Sequence, residues 1–408
     1  MPGQAEDPSS RSAEPTLAQV AERVGVSSAT LRRWVRRGLV PGYEGHWTPS
    51  AVAYVRVVAR LRARGHTLEQ IQRASDSGQL AIGPIENLLS SARGDHTLSD
   101  AARETGLRPE LIRSTYMTMG LGPLPLDALT DEDVQILGYA ASVLGAGLPE
   151  AAFLQLMRVY GQALAQIADA EVRLIHIYVH EPLMRAGVPN AEIAEEMEGL
   201  TREVLPLAAP FMNYLHGRLL AHFVEQDMIG HMEADLDADA LEEGRLRVAI
   251  AFADLAGYAR LTIERGDEVA VSTVERFVHA VAETLPADAR VIKTLGDEVM
   301  VVGSDAAALT RWAVALQQGI DEDEPPPRIG IHYGAALYRD GDYFGREVNQ
   351  AARVVARAGG GEVLVTRPVV DVADGVDGLR FERLGEVRLK GFSEPTELFL
   401  AAGVEPGG

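Results

Sequence analysis

The spacing of apolar residues changes near residue 245, and this change limits the folds open to the chain. Before it, apolar residues recur every three or four positions, as in amphipathic helices. After it come short apolar runs separated by glycine turns, and these are typical of β-strands. We therefore predict a multidomain protein with an all-α N-terminal half and an α+β C-terminal domain.

The length of 408 residues is too great for a single hydrophobic core. The chain has no cysteine, which excludes disulfides and cysteine-ligated metal sites. It has neither the pattern of a signal peptide nor an apolar run approaching about 18 residues, so we expect no membrane span and a cytoplasmic location.

The first helical segment has the pattern of a helix-turn-helix and follows a tail, residues 1–15, that we expect to be disordered. Leu17 to Val24 have helical spacing, Gly25 breaks that helix, and Ser27 or Ser28 is placed to cap the next one. The basic face of this second helix consists of Arg32, Arg33, Arg36 and Arg37.

Charge is unevenly distributed, because ten arginines and three glutamates lie between residues 16 and 73 of a chain whose net charge is −21. Such asymmetry indicates a surface for an anionic partner. Residues 16–75 resemble the MerR-type winged helix-turn-helix, and we assign residues 16–80 to this domain. The resemblance implies a small wing within residues 42–49 and contact with DNA through the four arginines. A helical protein-interaction module with a solvated basic face is the alternative.

An internal duplication is predicted, because residues 97–123 repeat the pattern of residues 16–41 at an offset of 81 positions. The match resumes downstream, where Thr48 aligns with Thr130. The second copy is acidic and should repel phosphates. We interpret it as a structural relic or a docking surface.

Residues 97–232 are predicted to form a helical regulatory domain that begins with this second copy. Pro206 and Pro210 should interrupt its helices, with a new helix over Phe211–Met232. An acidic linker, residues 233–246, follows. Five histidines are candidates for pH sensing, since histidine titrates near neutral pH: His176, His180, His216, His222 and His231. Satisfied structural histidines or, for the first two, a metal site are the alternatives.

The first strand-like run of the C-terminal domain, residues 247–253, ends in Asp254. A glycine turn at Gly257 then leads into a helix predicted to reach about Leu285. A carboxylate beside a glycine turn and a helix N-terminus suits phosphate and metal binding.

A second block, residues 291–302, predicts a hairpin whose turn contains Gly296 and Asp297 and whose first strand carries Lys293. Two aspartates at neighbouring strand ends, here Asp254 and Asp297, can hold two Mg²⁺ or Mn²⁺ ions per site. Such ions bind a triphosphate and lower the pKa of an attacking hydroxyl.

The last two blocks contain further polar candidates. Asp342 precedes Gly345, which opens a helix carrying Asn349 and Arg353 at i and i+4, on one face. Lys390 lies near the predicted last strand.

Together, the motifs FADLAGY, KTLGDEVM, DYFGREVNQAAR and RLKGF resemble the class III adenylate and guanylate cyclase catalytic domain, and we assign residues 247–402 to it. The resemblance implies a ferredoxin-like α+β fold. It also implies that Asp254 and Asp297 bind the metals, and that Lys293 and Asp342 select adenine. The substrate is therefore expected to be ATP and the product cyclic AMP.

The same resemblance implies that Asn349 orients the ribose, Arg353 stabilises charge at the phosphorus and Lys390 contacts the triphosphate. In this family each site is shared by two subunits, so a homodimer is expected. A degenerate cyclase fold without activity is the alternative.

The region of residues 97–232 resembles the N-terminal regulatory domain of autoinhibited, pH-responsive actinobacterial adenylate cyclases. This predicts a regulated cyclase. A lipid-like ligand in the helical bundle is a further expectation. The alternative function is a DNA-binding regulator whose cyclase-like domain senses nucleotide.

Overall fold

The structure is a computed structural model, and it describes residues 15–40, 43, 45–77, 79–80, 94–121, 126–234, 244–321 and 324–404. The expected disordered tail and most of the expected acidic linker lie outside these residues. The chain divides into two units, residues 1–219 and 220–408, which are described separately. In the described ranges, no helix is long and apolar enough to cross a membrane.

The first unit opens with helices α1 (Leu17–Val24), α2 (Ser28–Arg36), α3 (Pro49–Ala63) and α4 (Leu68–Asp76). Helix α1 begins at a capping box in which Thr16 and Gln19 bond each other's backbone N–H groups. It ends at Gly25, whose φ of 70° favours glycine. Buried Leu31 and Trp34 fix α2 against α1 and α3. Residues 43 and 45–48, where the wing was expected, form no strand.

The second copy of this pattern comprises helices α5 (Leu98–Thr105), α6 (Pro109–Thr118) and α7 (Asp131–Gly145). Helix α5 has the length of α1, and it too begins at a threonine capping box and ends at a left-handed glycine, here Gly106. Helix α7 is as long as α3, and a threonine, Thr130, again caps it. The helix lengths and caps of the two copies therefore correspond at α1 and α5 and at α3 and α7, while the duplication itself stays a prediction.

The rest of the first unit contains α8 (Glu150–Ile175), a π-helical turn (His176–His180) and α9 (Glu181–Arg185). Helix α10 runs from Asn190 to Ala234 and extends into the second unit. The prediction that Pro206 and Pro210 interrupt it is wrong, because both lie inside one continuous helix. A proline removes one backbone hydrogen bond, and the leucines and alanines around this pair favour helix strongly enough to continue it.

The second unit is built on an eight-stranded sheet. Its strands are β1 (Arg245–Leu255), β2 (Arg290–Leu295), β3 (Glu298–Gly303), β4 (Pro327–Arg339), β5 (Asp342–Phe344), β6 (Val363–Thr366), β7 (Leu379–Val387) and β8 (Thr396–Gly403). Its helices are α11 (Tyr258–Arg265), α12 (Asp267–Thr284), α13 (Ala306–Gly319), α14 (Arg346–Val355) and α15 (Arg367–Ala373).

The strand order is β2-β3-β1-β4-β6-β8-β7, with β5 paired to β4. Strand β1 is antiparallel to both β3 and β4, whereas β4 and β6 are parallel. The first part of the domain therefore has the β-α-β-β-α-β arrangement that defines ferredoxin-like sheets. Helix α13 packs in the larger core, and α14 packs in a second core formed with β1 and β3.

The helix predicted to run from the Gly257 turn to about Leu285 is in fact two helices, α11 and α12. They are separated by Gly266, which has φ 85° and ψ 169°, a conformation that residues with a side chain rarely adopt. The break makes the chain turn between two helices that the apolar spacing alone had joined.

Candidate active site

Two carboxylates meet at the end of β1. Asp254 is the second-last residue of this strand and is buried. In the β1–β3 register it lies opposite Glu298, so Asp297, in the tight turn between β2 and β3, is its immediate neighbour. The hairpin predicted from the sequence thus brings the two aspartates together across adjacent strands.

The electrostatics of this pair suit a divalent cation. Burial, together with the hydrogen bond and charge of Asp254, raises the pKa of Asp297 to about 6. Burial and Asp254 also raise the pKa of Glu298. Carboxylate oxygens are the ligands that Mg²⁺ and Mn²⁺ prefer. The described residues form no cluster of three or more metal-ligating side chains.

Arg328 is a site residue that the sequence reasoning missed. It lies opposite Asp254 in the β1–β4 register, and its Nε donates to Asp254 Oδ2 at 2.9 Å while Nη2 donates to the same oxygen. The only sequence signal was an arginine directly before the apolar run of β4. That signal acquires meaning only when the pairing of β1 with β4 is known.

Lys293 and Asp342 lie 49 positions apart in sequence and form an ion pair of 2.5 Å. Strand β2 carries the lysine, and the short strand β5 carries the aspartate. The other carboxylate oxygen of Asp342 accepts from the backbone N–H of Tyr343 at 2.8 Å. Both side chains remain partly accessible, with exposed fractions of 35% and 26%. The structure therefore brings together the two residues predicted to select adenine.

Helix α14 carries Asn349 and Arg353 on its exposed side. The opposite side is fixed by Ala351, Val354 and Val355, which are buried. Within the described residues, the side chains of Asn349 and Arg353 make no hydrogen bond or ion pair. Both are thus presented outward by a rigid element.

Lys390 lies in the loop between β7 and β8 and is exposed. Its neighbour Leu389 is buried, and the carbonyl of Arg388 accepts a hydrogen bond of 3.0 Å from Arg357. The loop is therefore anchored just before the lysine side chain. No described contact joins Lys390 to the other candidate site residues.

The basic face predicted on α2 is present, since Arg32, Arg33, Arg36 and Arg37 are all exposed. Arg37 lies 3.6 Å from Glu69 of α4, and the Nε of Arg36 donates to the backbone carbonyl of Arg32. This arrangement leaves three of the four guanidinium groups without an acidic partner among the described residues.

The five candidate histidines differ in environment. His176 and His180 lie in the π-helical turn, with their Nδ1 atoms 3.2 Å apart, and His180 is fully buried. His216 and His222 are exposed on α10. The side chain of His231 lies outside the described part of the chain. Sequence spacing alone did not separate the buried pair from the exposed residues.

The fold and site can be compared with known families. The adenylate cyclase regulatory domain family matches residues 19–223. The adenylate and guanylate cyclase catalytic domain family matches residues 242–402. The first match includes most of the first copy of the duplicated helical pattern and all of the second, and the second match includes every candidate residue of the C-terminal domain.

An adenylate cyclase of Streptomyces coelicolor is 32% identical over 286 residues, which cover 69% of this chain and 72% of that protein. A pH-sensitive adenylate cyclase of Mycobacterium tuberculosis is 29% identical over 318 residues, which cover 75% and 79%. The crystal structure of an adenylyl cyclase from P. aeruginosa is 24% identical and covers 40% of this chain and 96% of that chain, with a TM-score of 0.36.

Proposed function

This chain belongs to the adenylate cyclase family in both its regulatory and its catalytic regions, and we propose how its residues turn ATP into cyclic AMP. In this reaction the ribose 3′-oxygen loses its proton and bonds to the α-phosphorus, while the bond to pyrophosphate breaks. The ion pair of Lys293 and Asp342 carries our assignment of the purine site.

The chemistry of this pair matches adenine. The ammonium of Lys293 donates to adenine N1, and the carboxylate of Asp342 accepts from the exocyclic amine. Guanine reverses both groups, since it has a donor at N1 and an acceptor at O6. The pair therefore favours ATP over GTP.

We assign Asp254 and Asp297 to Mg²⁺ or Mn²⁺, with two ions per site. Bound cations would neutralise charge on the triphosphate and on the departing pyrophosphate. Arg328 now neutralises Asp254, and its planar guanidinium also has the donor geometry for phosphate oxygens. We therefore add Arg328 to the triphosphate-binding residues, together with Lys390.

Asn349 and Arg353 complete the proposed site, with Asn349 bonding the ribose and Arg353 stabilising charge on the transferring phosphorus. Their outward orientation on α14 supports a site shared between two copies of the chain. We propose a homodimer in which each copy supplies α14 to its partner's carboxylates.

Exposed apolar surface also supports the homodimer. Helices α8 and α10 expose large side chains that would face water in a single copy: Leu156, Tyr160, Leu164, Leu207, Phe211 and Tyr214. Phe211 and Tyr214 are 72% and 70% exposed. Large apolar patches on soluble proteins mark interfaces, and a second copy would cover them.

The test of this function is cyclic AMP formation from ATP with Mn²⁺ by the full chain. Asp297→Ala should abolish it, whereas Asp377→Ala, which removes an exposed carboxylate in the turn before β7, should not. Substantial turnover by Asp297→Ala would sink the metal-site assignment. A wild-type preference for GTP would sink the purine-site assignment.

The exposed arginines of α2 favour contact with DNA as a second function. A gel shift with the full chain should show DNA binding that Arg32→Ala and Arg36→Ala weaken. For every arginine–phosphate interaction that a substitution removes, the slope of log affinity against log salt should become shallower by about 0.9. The lipid-like ligand stays a prediction from the sequence alone.

The contact between half-buried His176 and buried His180 supports regulation by pH. Their Nδ1 atoms face each other at 3.2 Å, and histidine is the side chain whose charge ordinarily changes near neutral pH. The cluster beside them is apolar, with Ile193 and Met197 at its centre. The change in cyclase activity between about pH 5.5 and 8 should diminish in His180→Gln and persist in His222→Gln, the exposed control.

A further inference from the structure

His332 is buried in the sheet of the catalytic domain but belongs to none of the groups assigned above. It lies in β4, opposite Ile250 of β1, and only 3% of it is exposed. Paired residues point to the same side of a sheet, so His332 lies on the side that Ile250 shares with helix α14. A polar ring in this apolar layer requires partners for both nitrogens.

Both ring nitrogens of His332 have a partner. Nδ1 lies 2.8 Å from the hydroxyl oxygen of Thr366, which is itself fully buried at the end of β6. Nε2 is hydrogen-bonded to Oε2 of Glu347, in the first turn of α14. The imidazole thus links the centre of the sheet to the N-terminal turn of the helix that carries Asn349 and Arg353.

Two glycines of β4 allow α14 to lie close to the strand. A Cβ atom at Gly330 would lie 2.1 Å from the backbone N of Val355, at the far end of the helix. A Cβ at Gly334 would lie 2.8 Å from Oε2 of Glu347. Gly330 and Gly334 lie on the same side of β4 as His332. The two glycines therefore form a shallow groove for α14, and His332 between them is its one polar residue, which we call the anchor.

Apolar packing alone does not fix a helix along this groove. The buried contacts of α14, through Ala351, Val354 and Val355, are non-directional and tolerate small shifts. A hydrogen bond to a buried ring is directional, so it defines both the rotation of the helix about its axis and its distance from the strand. Shifts of about 1 Å in a positioned group can lower a rate by about 100-fold.

We infer that His332 and Glu347 are a positioning pair, which holds α14 at a fixed distance from β4. At this distance Asn349 and Arg353 meet the ribose and the α-phosphorus. The inference rests on the proposed function of those two residues. Neither His332 nor Glu347 touches substrate. The hydrogen bond to His332 is the main cause of a lowered pKa of Glu347, and this agrees with an ionised Glu347 carboxylate as the acceptor.

The test compares three substitutions of Glu347 in the full chain. Glu347→Ala removes the acceptor, and Glu347→Asp withdraws it by one methylene; both should lower kcat about 10- to 100-fold, with the KM for ATP changed less than about threefold. Glu347→Gln retains an acceptor oxygen and should restore kcat to within about threefold. Alanine and glutamine variants of equal kcat would overturn the inference.

Two comparisons distinguish positioning from general destabilisation. On an Arg353→Ala background, Glu347→Ala should lower kcat by a smaller factor than it does in the wild type, because the part of its effect that acts through Arg353 is already lost. Arg276→Gln removes the 2.6 Å ion pair to Glu324, away from α14, and should leave kcat unchanged. A full additional loss on the Arg353→Ala background would refute a positioning role.

Hydrogen exchange provides a readout that does not depend on the proposed reaction. The amides of α14 should exchange faster in Glu347→Ala than in the wild type, and at the wild-type rate in Arg276→Gln. If the wild type forms no cyclic AMP but α14 is loosened as expected, the proposed function fails and the anchor stands. Unchanged exchange of α14 would refute the anchor, whatever the activity.

Discussion

Asp342 is held by two different contacts, a 2.5 Å ion pair with Lys293 and a 2.8 Å hydrogen bond from the backbone of Tyr343. Asp342→Asn keeps the shape but offers both a donor and an acceptor to the purine. We expect kcat/KM for ATP to fall about 10- to 100-fold and the preference for ATP over GTP to shrink, as for other sites that lose a charged hydrogen bond. Steady-state kinetics with both nucleotides measures this.

The matched control is Asp340→Asn, two residues upstream. Asp340 has a φ of 54°, a left-handed conformation that asparagine also tolerates. This substitution removes the same charge without touching the ion pair, so nucleotide preference should be unchanged. An equal loss of preference in both variants would indicate a general effect of charge on substrate binding.

Residues in local motifs were within reach of the sequence, because a strand end or a helix face fixes their surroundings. Asn349 and Arg353 are of this kind. Arg328 and the pair of His332 with Glu347 were not, since their partners are set by the register of β1, β4 and α14. No spacing rule gives that register before the sheet is known.

Helix α14 and strand β4 are closest at Gly330, and this contact gives a prediction for the pair of elements. Gly330→Ala would place a methyl group 2.1 Å from the backbone of Val355, which no rotamer change can relieve. We expect a loss of about 2 kcal/mol or more in unfolding free energy and a correspondingly lower melting temperature. Thermal unfolding of the full chain measures it.

Gly319→Ala is the control for this substitution. Gly319 ends helix α13, and a Cβ there would meet no atom within 4 Å. Its melting temperature should equal that of the wild type or rise slightly, since alanine favours helix. If both alanine variants melted at the wild-type temperature, the close approach of α14 to β4 would be wrong.

Helices α5 and α7 are joined by His96, which precedes α5. Its imidazole lies 2.7 Å from Asp131 and 3.5 Å from Glu104. The hydrogen bond to Asp131, and to a lesser extent the charges of Glu104 and Asp100, raise the pKa of His96. A raised folded-state pKa means that the stabilisation is complete below the unfolded value of about 6.5 and is lost as the pH rises through the folded value.

We therefore expect the melting temperature of the wild type to exceed that of His96→Gln at pH 5.5, and the difference to shrink toward pH 8. His279→Gln is the control, because His279 is exposed on α12 and faces a single glutamate at 3.5 Å. A difference between wild type and His96→Gln that did not change with pH would contradict the role of the imidazolium.

The elements that the sequence predicted well are those with explicit end signals. Helical spacing and the break at Gly25 predicted α1, and the structure adds a threonine capping box that recurs in its repeat α5. Two predicted helix boundaries were wrong, and both concern glycine or proline, which can either end a helix or lie within one. Gly266 adopts a conformation that divides one predicted helix, whereas Pro206 and Pro210 are absorbed into a continuous one. The spacing of apolar residues gives neither the backbone conformation of a glycine nor the extent to which neighbouring residues continue a helix across a proline.

At the scale of the whole molecule, one copy of the chain contains every proposed catalytic group but presents them in different directions. Asp254 and Asp297 are recessed beside Arg328, whereas Asn349 and Arg353 point outward from α14. The proposed site shared by two copies would resolve this separation, because the exposed groups of one copy would meet the recessed carboxylates of the other. In a mixture of two variants, the number of intact active sites per dimer would then depend on which variants form the dimer.

This arrangement predicts complementation between two variants that each retain only a small fraction of the wild-type activity. Asp297→Ala loses a proposed metal ligand, and Arg353→Ala loses the group proposed to act in the partner's site. In a shared-site homodimer, unfolding and refolding an equal mixture makes half of the dimers heterodimers, each with one intact site of two, so activity should return to about a quarter of the wild-type value. If each chain instead formed its own complete site, no mixture of the two variants would regain activity.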